Sequence, residues 1–233
     1  MTDAVRVWLV PLDLPAAAAA SCREVLDTGE RARVAALADP GDRQRFTVAH
    51  GVLRILAGRE LNVPPGALRW VIGPNGKPGL APPWSGWHTS LSHSGGMIAA
   101  AVSASRPVGV DIQQAAAGMD PVRLSARYFP PGEASYVASG DGEAADGTQA
   151  DRFAWLWVRK EAAVKAAGSR LWANLTVPVR DRDVVRLAEP PGSHRVADVT
   201  APPGFRAAVA LCGAGPFVLD HLLEKEPVPW DPQ

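Results

Sequence analysis

In the opening stretch VRVWLVPL, Val5, Val7 and Leu9 fall on every second position, which predicts a strand with one buried face. AAAAASCREVLD predicts a helix that ends near Gly29. In DRQRFTVAHGVLRILAGREL, Phe46, Ala49, Val52, Leu53 and Leu56 recur at helical spacing, and Gly58 weakens the end. ALRWVIGPNGKPGL reads as a strand running into a Pro-Asn-Gly turn. HTSLSHSGGMIAAAVSASRPVGVDIQ reads as a three-stranded meander, turning at Gly95-Gly96 and again at Arg106-Pro107. In DPVRLSARYF, Asp120 as N-cap and Pro121 at the first helical position predict a helix start. Residues 138–151 are rich in Gly, Asp and Ala with no period, which predicts a mobile loop. A helix from about Arg152 to Gly168 follows, then strands at TVPVR, DVVRLA, FRAAVALC and FVLDHL. Each half thus holds helices and antiparallel strands. The expected fold is an α+β pseudo-dimer of two similar lobes, residues 1–106 and 107–233, joined near Arg106 to Gly109.

The helix containing WVRKEAAVK, Trp157 to Lys165, carries an anomaly. At about 100° per residue, Phe153, Leu156, Trp157, Val164 and Ala167 form one apolar stripe. Lys160 falls inside that stripe, while Glu161 and Lys165 sit on its border, four residues apart and able to pair. A surface ion pair and a snorkelling lysine account for Glu161 and Lys165 but poorly for Lys160. A lysine in an apolar stripe needs an anion at its tip, either a carboxylate of the fold or a ligand phosphate.

Composition sharpens this. Of 24 basic residues, 20 are arginine and only Lys77, Lys160, Lys165 and Lys225 are lysine. A lysine kept against such a bias hints at a place where a compact ammonium is needed. The 24 basic residues balance 24 acidic ones, which argues against a general nucleic-acid or membrane-surface binder but leaves room for a local basic pocket. The 233 residues are 47% hydrophobic, enough for a sizeable core. Cys22 and Cys212 lack CxxC spacing and read as buried or free cysteines, not as a disulfide framework or a zinc site. With no basic-apolar leader and no run near the ~18 apolar residues of a membrane span, a cytoplasmic protein is expected.

Three further stretches carry chemistry. PVGVDIQ ends an apolar strand on Asp111, with Gly109 allowing close approach; Asp111 is either a magnesium ligand or a turn cap. SLSHSGG offers Ser92 and His93 at a strand end, but no GxSxG elbow supports a serine hydrolase. NGKPGL exposes Lys77 beside glycines, and neither GxGxxG nor GxxxxGK[ST] occurs.

Taken together, GVDIQ, the WVRKEAAVK helix, the GKP turn, the SHS strand and RQRFTVAHGVLR resemble the phosphopantetheinyl transferases of the longer, surfactin type, in the same order from about Asp39 to Leu171. The resemblance implies a monomer with coenzyme A in a cleft between the lobes, the first lobe binding coenzyme A and the second carrying the metal and the carrier-docking surface. It implies Mg²⁺, with Mn²⁺ as an alternative, held by Asp111 and Glu161. It implies transfer of the 4′-phosphopantetheine arm to a serine of an apo acyl or peptidyl carrier, releasing 3′,5′-adenosine bisphosphate, in secondary metabolism of the polyketide or nonribosomal-peptide kind. By position it assigns Arg45, Arg54, Lys77, Pro78, Ser92 and His93 to coenzyme A, and Lys160 and Lys165 to the reacting phosphates. Glu161 would take the serine proton. Many relatives have an acid two residues after the Asp, where this chain has Gln113. A glutamine oxygen can still bind Mg²⁺ directly or through water, with lower affinity. Carrier proteins are typically acidic, and Arg123, Arg127 and Phe129 are docking candidates, although a solvated helix face explains the two arginines equally well. Two rival functions remain: a coenzyme A-binding module without turnover, which would keep Lys77, His93 and Arg45 but not need Glu161, and a metal phosphohydrolase, which would use the same carboxylates but need no carrier.

Overall fold

The structure is a computed structural model that describes residues 3–73, 75–115, 120–139 and 147–224. Pro74 of the expected turn, residues 140–146 of the expected mobile loop, and Lys225 lie outside the described residues. In chain order the elements are β1 (Asp3–Pro11), α1 (Ala16–Glu24), α2 (Thr28–Ala36), α3 (Pro40–Leu61), β2 (Trp70–Ile72), β3 (Pro78–Leu80), β4 (His88–Ser94), β5 (Met97–Ser103) and β6 (Val108–Gln114). Then come α4 (Pro121–Tyr128), α5 (Pro131–Ala138), α6 (Gln149–Ala167), β7 (Val184–Ala188), β8 (Pro191–Val199), β9 (Phe205–Cys212) and β10 (Phe217–Leu223). Short 3₁₀ turns occupy Pro65–Ala67 and Leu171–Ala173.

Two four-stranded sheets, ordered β10-β1-β5-β4 and β6-β9-β8-β7, stack face to face, and a two-stranded ribbon pairs β2 with β3. Strand alternation builds the layers. Val5, Val7 and Leu9 of β1 and Met97, Ala99 and Ala101 of β5 face Val108, Val110, Ile112, Val209 and Leu211 of the second sheet. Their in-between neighbours, Trp8, Val10, Ile98, Ala100 and Val102, face outward onto α3. Likewise Ala208 and Ala210 of β9 turn away from the central core toward α6. The order is helix, sheet, sheet, helix, with three apolar layers. Each fully buried Val or Leu in them contributes about 1.5–3 kcal/mol.

Several expectations are corrected. β6 leaves the meander: it pairs with β9 in the second sheet, not with β5. β10 returns to the first sheet and runs parallel to β1, so that sheet is mixed rather than purely antiparallel. TVPVR is turn and irregular chain, whereas PGSHRVADV, whose leading Pro and Gly disguise it, forms β8. Gly29 does not end α1; it lies in the first turn of α2, which the Asp27–Glu30 capping box starts. The end of the expected mobile loop is helical, because Thr148 and Asp151 form a second capping box that starts α6 three residues early. Among the described residues no helix is long and apolar enough to cross a membrane. Cys22 and Cys212 are free.

Candidate functional site

Gly109 and Asp111 lie on the same face of β6, the face that meets α6. A Cβ on Gly109 would stand 2.0 Å from the Ala162 carbonyl oxygen and 2.4 Å from the Ala166 nitrogen. Only glycine lets the helix backbone come this close, and the approach delivers Asp111, two residues on, to the helix at Lys165. Lys165 Nζ donates to Asp111 Oδ1 at 2.6 Å and to the Val110 carbonyl at 3.3 Å. Ser92 Oγ, from β4, donates to the same Oδ1 at 2.6 Å. Asp111 is 4% exposed, so these contacts occur away from bulk water.

The SLSHS pattern has a structural explanation. Ser90, Ser92 and Ser94 point from β4 toward β6. Ser90 Oγ accepts from Val110 N at 3.0 Å and Ser94 Oγ accepts from Gln114 N at 3.1 Å, on either side of the Ser92–Asp111 bond. Serine hydroxyls thus stitch the edges of the two sheets together, replacing a backbone ladder and satisfying amides that would otherwise be orphaned.

Glu161 sits one helical turn before Lys165 and is half-buried. Among the described residues it takes no ion pair or hydrogen bond, because Lys165 pairs with Asp111 instead. Burial pushes its carboxyl above the usual range; Lys165 opposes this and the Asp111 charge adds to it. Both donors to Asp111 land on Oδ1, so among the described residues Oδ2 and the Glu161 carboxylate have no hydrogen-bond donor. Gln113, two residues beyond Asp111 on the same face, uses its Nε2 on the Gln114 carbonyl at 3.0 Å, which leaves its oxygen as an acceptor. Two carboxylates and an amide oxygen are hard donors suited to Mg²⁺, so the donor set fits that ion. Among the described residues there is no group of three or more His, Cys, Asp or Glu that could hold a metal ion, and Gln113 is an amide outside that set.

A cavity of about 780 Å³ opens beside this cluster, between α2, α3, β4 and the β2–β3 ribbon on one side and the end of α6 on the other. Lys165, Ser92, His93, Lys77 and Pro78 line it. His93 is held below its usual pKa, first by burial and then by Lys165, Arg45 and His50, with Asp111 opposing, which favours a neutral ring at pH 7. Burial holds Lys77 down to about 8, although the Cys212 charge opposes the shift.

The far wall of the cavity escaped the sequence reading. Glu30, 8% exposed, accepts from Arg54 Nε at 2.6 Å and Trp70 Nε1 at 3.1 Å and lies 3.3 Å from His50 Nδ1. His50 stacks on Phe46 at 3.8 Å between ring centres. Burial would raise the Glu30 pKa, but hydrogen bonds from His50 and the Asp27 backbone, with Arg54, hold it down at about 2. The D-x-x-E capping signature at 27–30 was the available signal for this acid.

The structure does not bring every expected residue to the cavity. Arg54 is fully buried: it binds Glu30 and Asp27 and donates to the Pro65 and Leu68 carbonyls, so it braces the wall from behind. Arg45 lies on the exposed first turns of α3, paired with Asp42 and, at 3.8 Å, with Asp39; it does not line the cavity, but its charge reaches His93, which does. Lys160 departs furthest from expectation. It is 1% exposed and faces α5, where its Nζ lies 2.7 Å from Glu133 Oε2, donates to the Val177 carbonyl and sits 4.8 Å from the Phe129 ring centre. Lys160 and Glu161 are neighbours about 100° apart on the helix, and they look at different elements. The anion that balances Lys160 is a carboxylate of the fold. Phe129 is likewise core, 6% exposed and stacked on Phe153, and does not belong to a docking face.

A family model, the 4′-phosphopantetheinyl transferase superfamily, matches residues 107–208. A protein of Synechocystis sp., named provisionally as a 4′-phosphopantetheinyl transferase, is 31% identical over 193 residues, 81% of this chain and 74% of its own length. The 4′-phosphopantetheinyl transferase HetI of Nostoc sp. is 29% identical, over 92% of this chain and 90% of its own length. A 4′-phosphopantetheinyl transferase of Bacillus subtilis is 28% identical, over 78% and 79% respectively.

Proposed function

Because this chain belongs to the 4′-phosphopantetheinyl transferase superfamily, we propose that it moves the 4′-phosphopantetheine arm of coenzyme A onto a serine of an apo acyl or peptidyl carrier protein. The observation that carries this reading is the contact of Asp111 with Lys165, which lines the cavity, together with the charge of both felt by Glu161 one helical turn before Lys165. Two helix-on-sheet halves contribute to that cavity, which supports their reading as pseudo-dimeric lobes with coenzyme A between them.

In the transfer, the carrier serine Oγ forms a bond to the β-phosphorus of coenzyme A, and the bond from that phosphorus to the bridging pyrophosphate oxygen breaks. The electron pair leaves with 3′,5′-adenosine bisphosphate. The serine proton passes to Glu161, directly or through a water, and the raised pKa of that carboxyl makes it a better base than a solvated one. Lys165 steadies negative charge at the transferring phosphate while its contact with Asp111 fixes its position. His93, lining the cavity, donates to the phosphates and ribose of coenzyme A. Asp111, Glu161 and the Gln113 oxygen would hold Mg²⁺, or Mn²⁺ in its place, which supplies charge neutralisation for the pyrophosphate. No protein-bound intermediate is required, as phosphoryl transfer rests on positioning and electrostatics.

The carrier meets a different face. Trp172 is 70% exposed just beyond Gly168 and Ser169, which line the cavity. It contacts Tyr128 at 5.6 Å, and Arg127 sits over Tyr128 at 5.2 Å. Arg123, one turn before Arg127 on α4, and Arg170 make no ion pair among the described residues. An exposed aromatic rimmed by unpaired arginines suits an acidic partner whose serine must reach Lys165 and Glu161.

The test is a mass measurement on an apo carrier incubated with the protein, coenzyme A and Mg²⁺. A gain equal to the phosphopantetheine arm supports the reading, and Glu161→Gln should abolish it while circular dichroism stays unchanged. Coenzyme A bound but unreacted would favour a binding module. Coenzyme A cleaved with an unchanged carrier would favour a hydrolase.

A further inference from the structure

We infer that Lys77 is a positioning residue: with Asn75, it ties the C-terminal end of α6 and the start of β6 to the turn of the β2–β3 ribbon, and so holds Lys165 against Asp111. This rests on the transfer reading above and gives Lys77 a task other than binding phosphate.

An α-helix ends with carbonyls that have no partner of their own. In the last turn of α6, the Lys165 carbonyl accepts from Gly168 N at 3.2 Å and the Val164 carbonyl from Ser169 N at 3.0 Å. The Ala166 carbonyl accepts instead from Lys77 Nζ at 2.9 Å, with Cys212 Sγ also 3.4 Å away, and the Gly168 carbonyl accepts from Asn75 Nδ2 at 2.9 Å. Both donors come from the other half of the chain, 89 and 93 positions away. The same Lys77 ammonium also donates to the Val108 carbonyl at 3.0 Å. Ala166 adjoins Lys165, and Val108 lies three residues before Asp111. One ammonium therefore bonds backbone one residue from Lys165 and three residues from Asp111.

The turn is built to reach this position. Gly73 N donates to the Lys77 carbonyl at 2.9 Å, Gly76 N donates to the Gly73 carbonyl at 2.9 Å, and Gly76 adopts φ +85°. The Lys77 stem packs on Gly168, where Cδ would be 3.4 Å from an added Cβ, and Gly168 itself is the left-handed cap of α6 at φ +62°. A cation at a helix C-terminus also meets the negative end of the helix dipole. Two of three ammonium protons are spent on carbonyls, so the geometry favours a clasp over a phosphate ligand.

The experiment compares wild type, Lys77→Met and Asn75→Ala. It reads the dissociation constant for coenzyme A, kcat at saturating coenzyme A and carrier, and hydrogen exchange of the amides of residues 166–169. For Lys77→Met the clasp predicts coenzyme A binding within about threefold of wild type, kcat lower by about tenfold or more, and faster exchange at 166–169, because small misplacement of a reacting group is costly. Asn75→Ala should move kcat and exchange in the same direction by less, and it keeps the test open if Lys77→Met does not fold. Lys77→Arg should restore part of kcat, since its fork can still reach both carbonyls. Binding weakened by about tenfold or more with kcat kept would identify Lys77 as a direct phosphate ligand and overturn the clasp, that being the loss expected for one charged hydrogen bond. Unchanged kcat and exchange would overturn it as well. If wild type itself leaves the carrier unmodified, the transfer reading fails, while exchange at 166–169 still decides whether Lys77 and Asn75 cap the helix.

Discussion

The pairing of Lys160 with Glu133 makes a sharp prediction, because the sequence alone allowed Lys160 two different anions. Glu133 is 3% exposed; its Oε1 accepts from Val179 N at 2.6 Å and Arg180 N at 2.8 Å, while Oε2 lies 2.7 Å from Lys160 Nζ. Lys160→Met removes the cation and keeps the volume. The carboxylate left behind retains two amide donors, so the loss should fall at the lower end of the range for breaking a buried pair, about 3 kcal/mol. Glu133→Ala should cost more, about 5 kcal/mol, since it strands the ammonium and leaves two amides unpaired. Lys160→Met combined with Glu133→Gln should cost less than the sum of its single substitutions by at least about 1 kcal/mol, because neither charge is then left alone. The assay is urea unfolding at pH 7 followed by fluorescence of the eight tryptophans, beside carrier-labelling rates well below the unfolding midpoint. Labelling by Lys160→Met should stay within about threefold of wild type, since its ammonium touches no reacting atom. A Lys160→Met protein with wild-type stability but labelling reduced about a hundredfold would refute the reasoning and return Lys160 to the phosphates.

Four other outcomes follow from the geometry. Gly109→Ala drives a methyl into the α6 backbone 2.0 Å away and should destabilise the protein on the order of 3 kcal/mol while separating Asp111 from Lys165, read by thermal unfolding and labelling rate together. Gln113→Glu adds a negative oxygen donor and should lower the Mg²⁺ concentration for half-maximal labelling several-fold; an unchanged midpoint rejects a role for Gln113 at the metal. The Glu30 carboxyl titrates at about 2, below its ordinary 4.5, so its contribution is complete above pH 4.5 and fades as pH falls toward 2. Glu30→Gln should therefore lose on the order of 3 kcal/mol at pH 7 and converge on wild type near pH 2, and a gap independent of pH would contradict the assigned ionisation. Trp172→Ala should raise KM for the carrier about tenfold and leave KM for coenzyme A alone, and equal effects on both would remove Trp172 from the docking face.

Several features of this molecule were written in short-range sequence. The alternation of Val5, Val7 and Leu9, the Asp120 cap and the Gly95-Gly96 hairpin each concern residues within a few positions of one another, and the backbone obeys such local rules almost wherever it sits. The glycine two before Asp111 and the Glu161–Lys165 spacing were also legible, because close approach and helical phase are properties of the residues themselves. What the sequence left open was decided by partners distant in the chain. Lys160 could answer to any anion until α5 brought Glu133 beside it from 27 positions away. Lys165 had Glu161 at ideal helical spacing, yet it turns to Asp111, which among the described residues carries no other cation and is held in place by Ser92. β10 could not be read as a parallel partner of β1, because the choice between two sheet edges depends on which apolar faces are already covered when the layers close. Periodicity fixes which face of an element avoids water; only tertiary packing decides what that face meets, since a charge or an unpaired backbone edge takes its partner from whatever the closed fold places within about 3 Å.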